Sequence, residues 1–204
     1  EYIYDAQAAH DLIAADARIG DIYLVGHSLG AMVAPRAADA LDSERIKGAA
    51  LIAGTPHSLS EIALRQMRDQ GMDQAQIDTL AAQFDAMNDM TDAQLQETTA
   101  LGSPLWYWKD QAGDDPAARI LARGLPVLIL QGGKDFQVLP AEGIEAWQAA
   151  LADYEGATYR YYPDMNHMLC DMAGEPTETA ADYMELTGIS PQLVADIAAW
   201  IHEQ

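Results

Sequence analysis

The chain has 204 residues, half of them hydrophobic, with 32 Asp and Glu against 11 Lys and Arg for a formal net charge of −21. The length fits one domain, or one domain with an insertion, and the apolar fraction is that of an ordinary globular core. Such a charge opposes the phosphates of nucleic acid and the anionic surface of a membrane. No apolar run approaches the roughly 18 residues of a membrane-spanning helix. One cysteine, Cys170, allows neither an intramolecular disulfide nor a cysteine-built zinc site. The numbering opens at Glu1 without a methionine, so a processed or truncated chain is expected and the compartment stays open.

Residues Asp5 to Ala17 are rich in alanine, with Leu12 and Ile13 as larger apolar residues, and predict a helix packed on a sheet through small side chains and ended by Gly20. Ile22 to Val25 is a short apolar run closed by Gly26, the form of a strand buried on both faces. Leu29 to Leu41 returns to helical composition, and Gly48 to Ala53 predicts a second buried strand. Strands alternating with helices imply a parallel α/β sheet.

From Pro56 to about Arg119 the alternation stops and Gln, Asp, Met and Ala dominate. Two or three helices are expected, with starts at Ser60 followed by Glu61 and at Thr91 followed by Gln94. Trp106, Tyr107 and Trp108, beside Pro104, read as an aromatic cluster in a loop. The α/β pattern resumes with a third strand at Pro126 to Gln131, a helix near Ala141 to Leu151 and a fourth strand at Thr158 to Tyr162. A last helix runs from Pro191 to Ile201, with Leu193, Val194, Ile197, Ala198 and Ile201 on one face. From Tyr161 to the end there are eight acids and no Lys or Arg, which predicts a solvated surface.

The chemistry concentrates at Gly26-His27-Ser28-Leu29-Gly30, a G-x-S-x-G segment between a predicted strand and a predicted helix. A serine hydroxyl is a poor nucleophile and needs exposure, a base beside it and donors for a developing oxyanion. A tight strand-to-helix turn exposes the oxygen, and glycines two residues before and after relieve its crowding. The helix after Ser28 directs its positive end at the same point, so the N–H of Leu29 is a natural oxyanion donor. An acid and a histidine should follow in the order Ser, Asp or Glu, His. Asp135 lies just beyond the third strand, in Gln131-Gly132-Gly133-Lys134-Asp135, and His167 follows the fourth, in Pro163-Asp164-Met165-Asn166-His167. Asp164 and Asp171 are rival acids from the loop of His167. His57 is a rival base or a pocket residue, and His27 a pocket-wall residue. His10 and His202 fall on predicted helices and should face solvent. No paired histidine spacing suggests a metal, and no cofactor is implied.

GHSLG at 26–30, LIAGTPH at 51–57, PVLILQGGKD at 126–135 and PDMNH at 163–167 together resemble the α/β-hydrolase family, in its branch of small serine esterases and peptidase-like hydrolases with a helical cap. The resemblance implies Ser28, Asp135 and His167 as a catalytic triad and Leu29 as one oxyanion donor. It implies a hydrolase core over residues 1–56 and 120–204, and a cap over 57–119 from which Trp106 and Trp108 reach an acyl pocket or pack on the core. The expected activity is hydrolysis of a small ester through an acyl-enzyme. A peptidase, thioesterase or acyltransferase would use the same residues, and a non-catalytic binding protein is the reading from another class.

One departure from the family is large. Its sheet has four strands before the serine turn, and a loop among them supplies the second oxyanion donor; here one helix and one strand precede Ser28. The missing front half is expected from residues outside this sequence, from a separate or cleaved chain, or to be compensated in a homo-oligomer, because an open sheet edge is a liability in a monomer.

Overall fold

A computed structural model describes residues 2–172 and 188–204. In chain order its elements are α1 (Tyr2–Ala14), β1 (Ile22–His27), α2 (Leu29–Leu41), β2 (Ile46–Ile52), α3 (Leu59–Asp69), α4 (Gln74–Ala86), a 3₁₀ turn (Met87–Asp89), α5 (Asp92–Glu97), β3 (Thr99–Ala100), β4 (Ser103–Pro104), α6 (Leu105–Ala112), α7 (Pro116–Arg123), β5 (Val127–Gly132), α8 (Ile144–Ala150), β6 (Ala157–Tyr162) and α9 (Pro191–Glu203). The chain divides into two compact units, Glu1–Pro56 with Pro116–Gln204, and His57–Asp115. Four acids of the C-terminal acidic stretch, Glu175, Glu178, Asp182 and Glu185, lie outside the described residues.

The first unit is built on a wholly parallel sheet of order β1-β2-β5-β6. One row across it reads Val25, Ala50, Leu128 and Thr158. Because strand side chains alternate between faces, β2 and β5 each feed two cores. Ala49, Leu51, Val127 and Ile129 face a cluster with Ala31, Ala34 and Ala38 of α2, Ile120 of α7 and Trp147 of α8. Ala50, Ile52, Leu128 and Leu130 face the other side, with Leu193 and Trp200 of α9. Burying each of these leucines stabilises the fold by about 1.5–3 kcal/mol relative to exposure. Alanines on α2 let its axis approach the sheet, and Gly48 leaves room for Trp200, whose ring would lie 2.6 Å from any Cβ there. Tyr162 joins β6 to α9 by donating its hydroxyl to Asp196 at 2.7 Å. Burial, and then that carboxylate, raise the Tyr162 pKa.

Several sequence expectations change here. Among the described residues β1 pairs with β2 alone, and it is only partly buried where a strand buried on both faces was expected, with Val25 57% exposed. α1 lies three residues earlier than predicted and packs against α2; none of its described residues is buried, and Tyr4 and Leu12 are largely exposed. Arg45 ties its last residue to the segment entering β1, its guanidinium donating to the carbonyls of Ala14 and Gly20, each at 2.9 Å, and of Ile19. Such a cation satisfies carbonyls that a helix end leaves open. On α9, Val194 and Ala198 face outward while Trp200 turns in, because the helix buries the stripe Leu193, Ile197, Trp200.

The second unit, His57–Asp115, has its own core of Leu80, Phe84, Leu95, Leu105 and Trp108. It holds four helices rather than two or three. α3 starts from a capping box at Ser58 and Glu61, not at Ser60, because Glu61 at the third helical position is what reaches back to Ser58 N–H. The box at Thr91 and Gln94 opens α5 at the predicted place. Trp106, Tyr107 and Trp108 belong to helix α6, not to a loop; Pro104 precedes the helix and does not break it.

Candidate active site

Ser28 occupies the single residue between β1 and α2 at φ 56° and ψ −120°. A side chain there costs about 1–3 kcal/mol, held against the surrounding structure. Ser28 N–H donates to Ile52 O at 2.8 Å, and its own carbonyl accepts from Ala31 N–H at 2.9 Å. Its hydroxyl makes no capping bond to the helix it begins. The glycines now have reasons: a Cβ on Gly26 would overlap the carbonyl of Gly30, and Gly54, after β2, faces the Ala31 methyl and the Ser28 carbonyl. Gly26→Ala is therefore expected to destabilise the protein by about 2–4 kcal/mol, read as a drop in the urea midpoint at constant slope.

Asp135 follows β5 and is 2% exposed. One carboxylate oxygen accepts the N–H groups of Gln137 and Val138, both at 2.9 Å. The other accepts from Gln131 Nε2 at 3.0 Å and faces His167 Nδ1 at 2.9 Å. A carboxylate only accepts, so the imidazole carries its proton on Nδ1 and leaves the Nε2 lone pair for another proton. His167 is 3% exposed. Its loop is shaped by Asn166, whose Oδ1 accepts the N–H groups of Met168 at 3.0 Å and Cys170 at 3.1 Å.

His27 brings the serine turn to this loop. Its Nε2 lies 2.8 Å from the carbonyl oxygen of His167, and the two rings are 4.8 Å apart at 51°. Burial depresses the His27 pKa, against the raising effects of the His167 carbonyl and Asp135.

Of the other sequence candidates, Asp164 turns away from His167: its side chain is 73% exposed and pairs with Lys134 Nζ at 3.1 Å. Asp171 forms an isolated bridge with Met165. His10 is not solvent-facing as expected; its side chain is 12% exposed because α1 lies on α2. His202 is exposed. His57 opens the second unit and is exposed there. On α6, Trp106 is 44% exposed, while Trp108 is buried against Phe84 and donates Nε1–H to Ala100 O at 3.0 Å. Among the described residues no group of His, Cys, Asp and Glu is arranged to hold a metal, and no helix is long and apolar enough to cross a membrane.

Sequence reasoning missed Gln131. It is 1% exposed, and its amide nitrogen lies 3.0 Å from both Asp135 Oδ2 and Val138 O. The available signal was a lone amide ending an otherwise apolar strand, because a buried amide requires partners. Trp147 Nε1 and Thr55 Oγ1 add bonds to Gly54 O at 3.1 Å and Glu142 O at 2.6 Å, joining the turn after β2 to the segment before and within α8.

A parallel sheet that delivers a strained serine, an aspartate and a histidine from the carboxyl ends of three strands is an α/β-hydrolase arrangement. The chain belongs to the alpha/beta hydrolase family, whose sequence profile matches residues 2–182. Esterase EstD of Thermotoga maritima is 27% identical over 205 aligned residues, covering 98% of this chain and 47% of EstD. The chain thus spans about half the length of that curated relative. Among solved structures, a highly thermostable carboxyl esterase from Bacillus coagulans superposes with a TM-score of 0.57 at 14% identity, covering 98% of this chain and 70% of that one. Est1E from Butyrivibrio proteoclasticus superposes with a TM-score of 0.54 at 19% identity, covering 81% and 60%. At these identities the two structures testify to the fold.

Proposed function

We propose that this chain carries the active site of a serine hydrolase that cleaves carboxylic esters through an acyl-enzyme, with Ser28 as nucleophile, His167 as base and Asp135 as the residue that orients it. The observation that carries the reading is the buried His167 to Asp135 contact at 2.9 Å, made to a carboxylate whose other oxygen is already occupied by two backbone N–H groups. That arrangement selects the tautomer a general base needs. Ser28 Oγ attacks the ester carbonyl carbon as its proton passes to His167 Nε2, and the oxyanion gathers at the N–H of Leu29. The bond to the alkoxy group then breaks, and the proton leaves with the alcohol. Water, deprotonated by His167, attacks the acyl carbon, releasing the carboxylic acid and restoring Ser28. EstD, a relative named as an esterase, supports the ester over the amide.

The second unit, inserted between β2 and β5, is read as the cap of this hydrolase. The outer edge of β1, unpaired among the described residues, and the exposed apolar side chains of α1 support pairing with further strands, from additional polypeptide or a second copy. A second oxyanion donor belongs with those strands.

A fluorophosphonate probe tests the serine assignment. With the intact protein, Ser28 Oγ should displace fluoride from phosphorus, and digestion should place the added mass on the peptide containing Ser28. Folded protein that takes no label, or takes it elsewhere, overturns the reading.

A further inference from the structure

His27 occupies the variable position of the G-x-S-x-G turn, and the reaction written above gives it no part. Its surroundings do. β1 and β6 are the two opposite edges of the four-stranded sheet, three strand spacings apart, or roughly 14 Å. His167 leaves the sheet after β6 and Ser28 after β1, so the loop bearing the histidine must run back across the carboxyl ends of the strands between them. It does so in close contact with β5: Gly133 N–H donates to Tyr162 O at 2.7 Å, Lys134 N–H donates to Met165 O at 2.8 Å, and a Cβ on Gly132 would lie 2.6 Å from Asn166 O. The far end of the span reaches β1 at His27, through the 2.8 Å contact of Nε2 with the His167 carbonyl and the ring contact at 4.8 Å.

We infer that His27 is a positioning residue which sets the distance between nucleophile and base, by donating Nε2–H to the backbone carbonyl of His167 from the residue adjacent to Ser28. The inference rests on the serine-hydrolase reading. A carbonyl only accepts, so His27 must hold its proton on Nε2, leaving Nδ1 bare when the ring is neutral. A neutral ring is also what the site requires, because His167 becomes an imidazolium during acylation and a second cation 4.8 Å away would oppose it. Burial favours that neutral form. The covalent link from His27 to Ser28 makes the device direct: the serine turn itself grips the loop that carries the base.

The test compares two replacements of similar shape in the intact protein, with a short-chain p-nitrophenyl ester as substrate. His27→Gln places an amide N–H where Nε2–H stood; His27→Met fills the same space with no donor. His27→Met is expected to lower kcat about 10-fold to 100-fold, the scale of a misplaced reacting group, with KM changed less than about threefold. His27→Gln is expected to stay within about threefold of the parent kcat. A purely structural role would move the thermal midpoint and leave the two variants alike. If His27→Met does not fold, His27→Asn replaces it, since its shorter amide does not reach the carbonyl, and kcat should fall in the order Gln, then Asn. Equal kcat in the donor and non-donor variants, or a loss wholly in KM, overturns the inference. Ser28→Ala, assayed alongside, separates the two claims: full activity there removes the serine reading itself, whereas an inactive Ser28→Ala with a fully active His27→Met removes only the role of His27.

Discussion

Ser28→Ala is expected to lower kcat for ester hydrolysis by roughly 10⁶-fold, the scale seen when a triad nucleophile is removed, and to abolish fluorophosphonate labelling. Folding should be nearly untouched. The hydroxyl makes no cap to α2, and alanine carries the same Cβ through the same φ of 56°, so stability should stay within about 1 kcal/mol. Steady-state rates and denaturant unfolding of the same two preparations check both statements. A variant that hydrolyses the ester at the parental rate would exclude Ser28 as the nucleophile.

Asp135→Asn is the second large effect, and its direction follows from donor and acceptor arithmetic. One oxygen of Asp135 is committed as acceptor to the N–H groups of Gln137 and Val138. The asparagine must therefore keep its carbonyl there and put its NH₂ where Oδ2 stood. That NH₂ faces two former donors, Gln131 Nε2 and His167 Nδ1. The imidazole then gives up its Nδ1 proton, takes the other tautomer, and presents Nε2–H to the serine, unable to receive a proton. A loss of about 10⁴ in kcat is expected, with a stability loss of about 1–3 kcal/mol from the mismatched buried donors. Asp164→Asn, which alters an exposed carboxylate whose partner Lys134 also donates Nζ–H to Met172 O, should leave kcat unchanged and stability within about 1 kcal/mol. Should Asp164→Asn show the larger loss of turnover, Asp135 is not the orienting acid.

The residues on which these predictions rest differ in how visible they were in the sequence. Ser28 stood out because two glycines at fixed distances, an apolar strand before and an alanine-rich helix after make up one local unit, and the turn at φ 56° is local too. Chain order and position after a strand point to Asp135 and His167, and Asp164 and Asp171 rank below Asp135 because they come from the loop of His167 itself. The contact that separates them in space depends on how β5 and β6 lie side by side, with Gly132 opposite Tyr162. The lone amide of Gln131 is visible in the sequence but its partners are not, and neither is the link from His27 to His167, which are 140 positions apart. Ser58 and Ser60 are equally good cap residues in isolation, so the sequence does not single out Ser58. The aromatic cluster of α6 reads as a loop because Pro104 signals a break equally well whether a helix follows it or not.

What the sequence by itself determined was local: the parallel α/β class, the strand-turn-helix around Ser28, the capping box at Thr91 and Gln94, and the family. Apolar periodicity and turn chemistry act within a few residues and need no knowledge of the rest. The tertiary structure alone decided the strand order β1-β2-β5-β6 and how far each strand's faces are covered, with Val25 of β1 57% exposed among the described residues. It also decided which buried polar groups meet. An apolar run reads the same whether one neighbour pairs with it or two, and a carboxylate in sequence carries no mark of the donors that folding will bring to it.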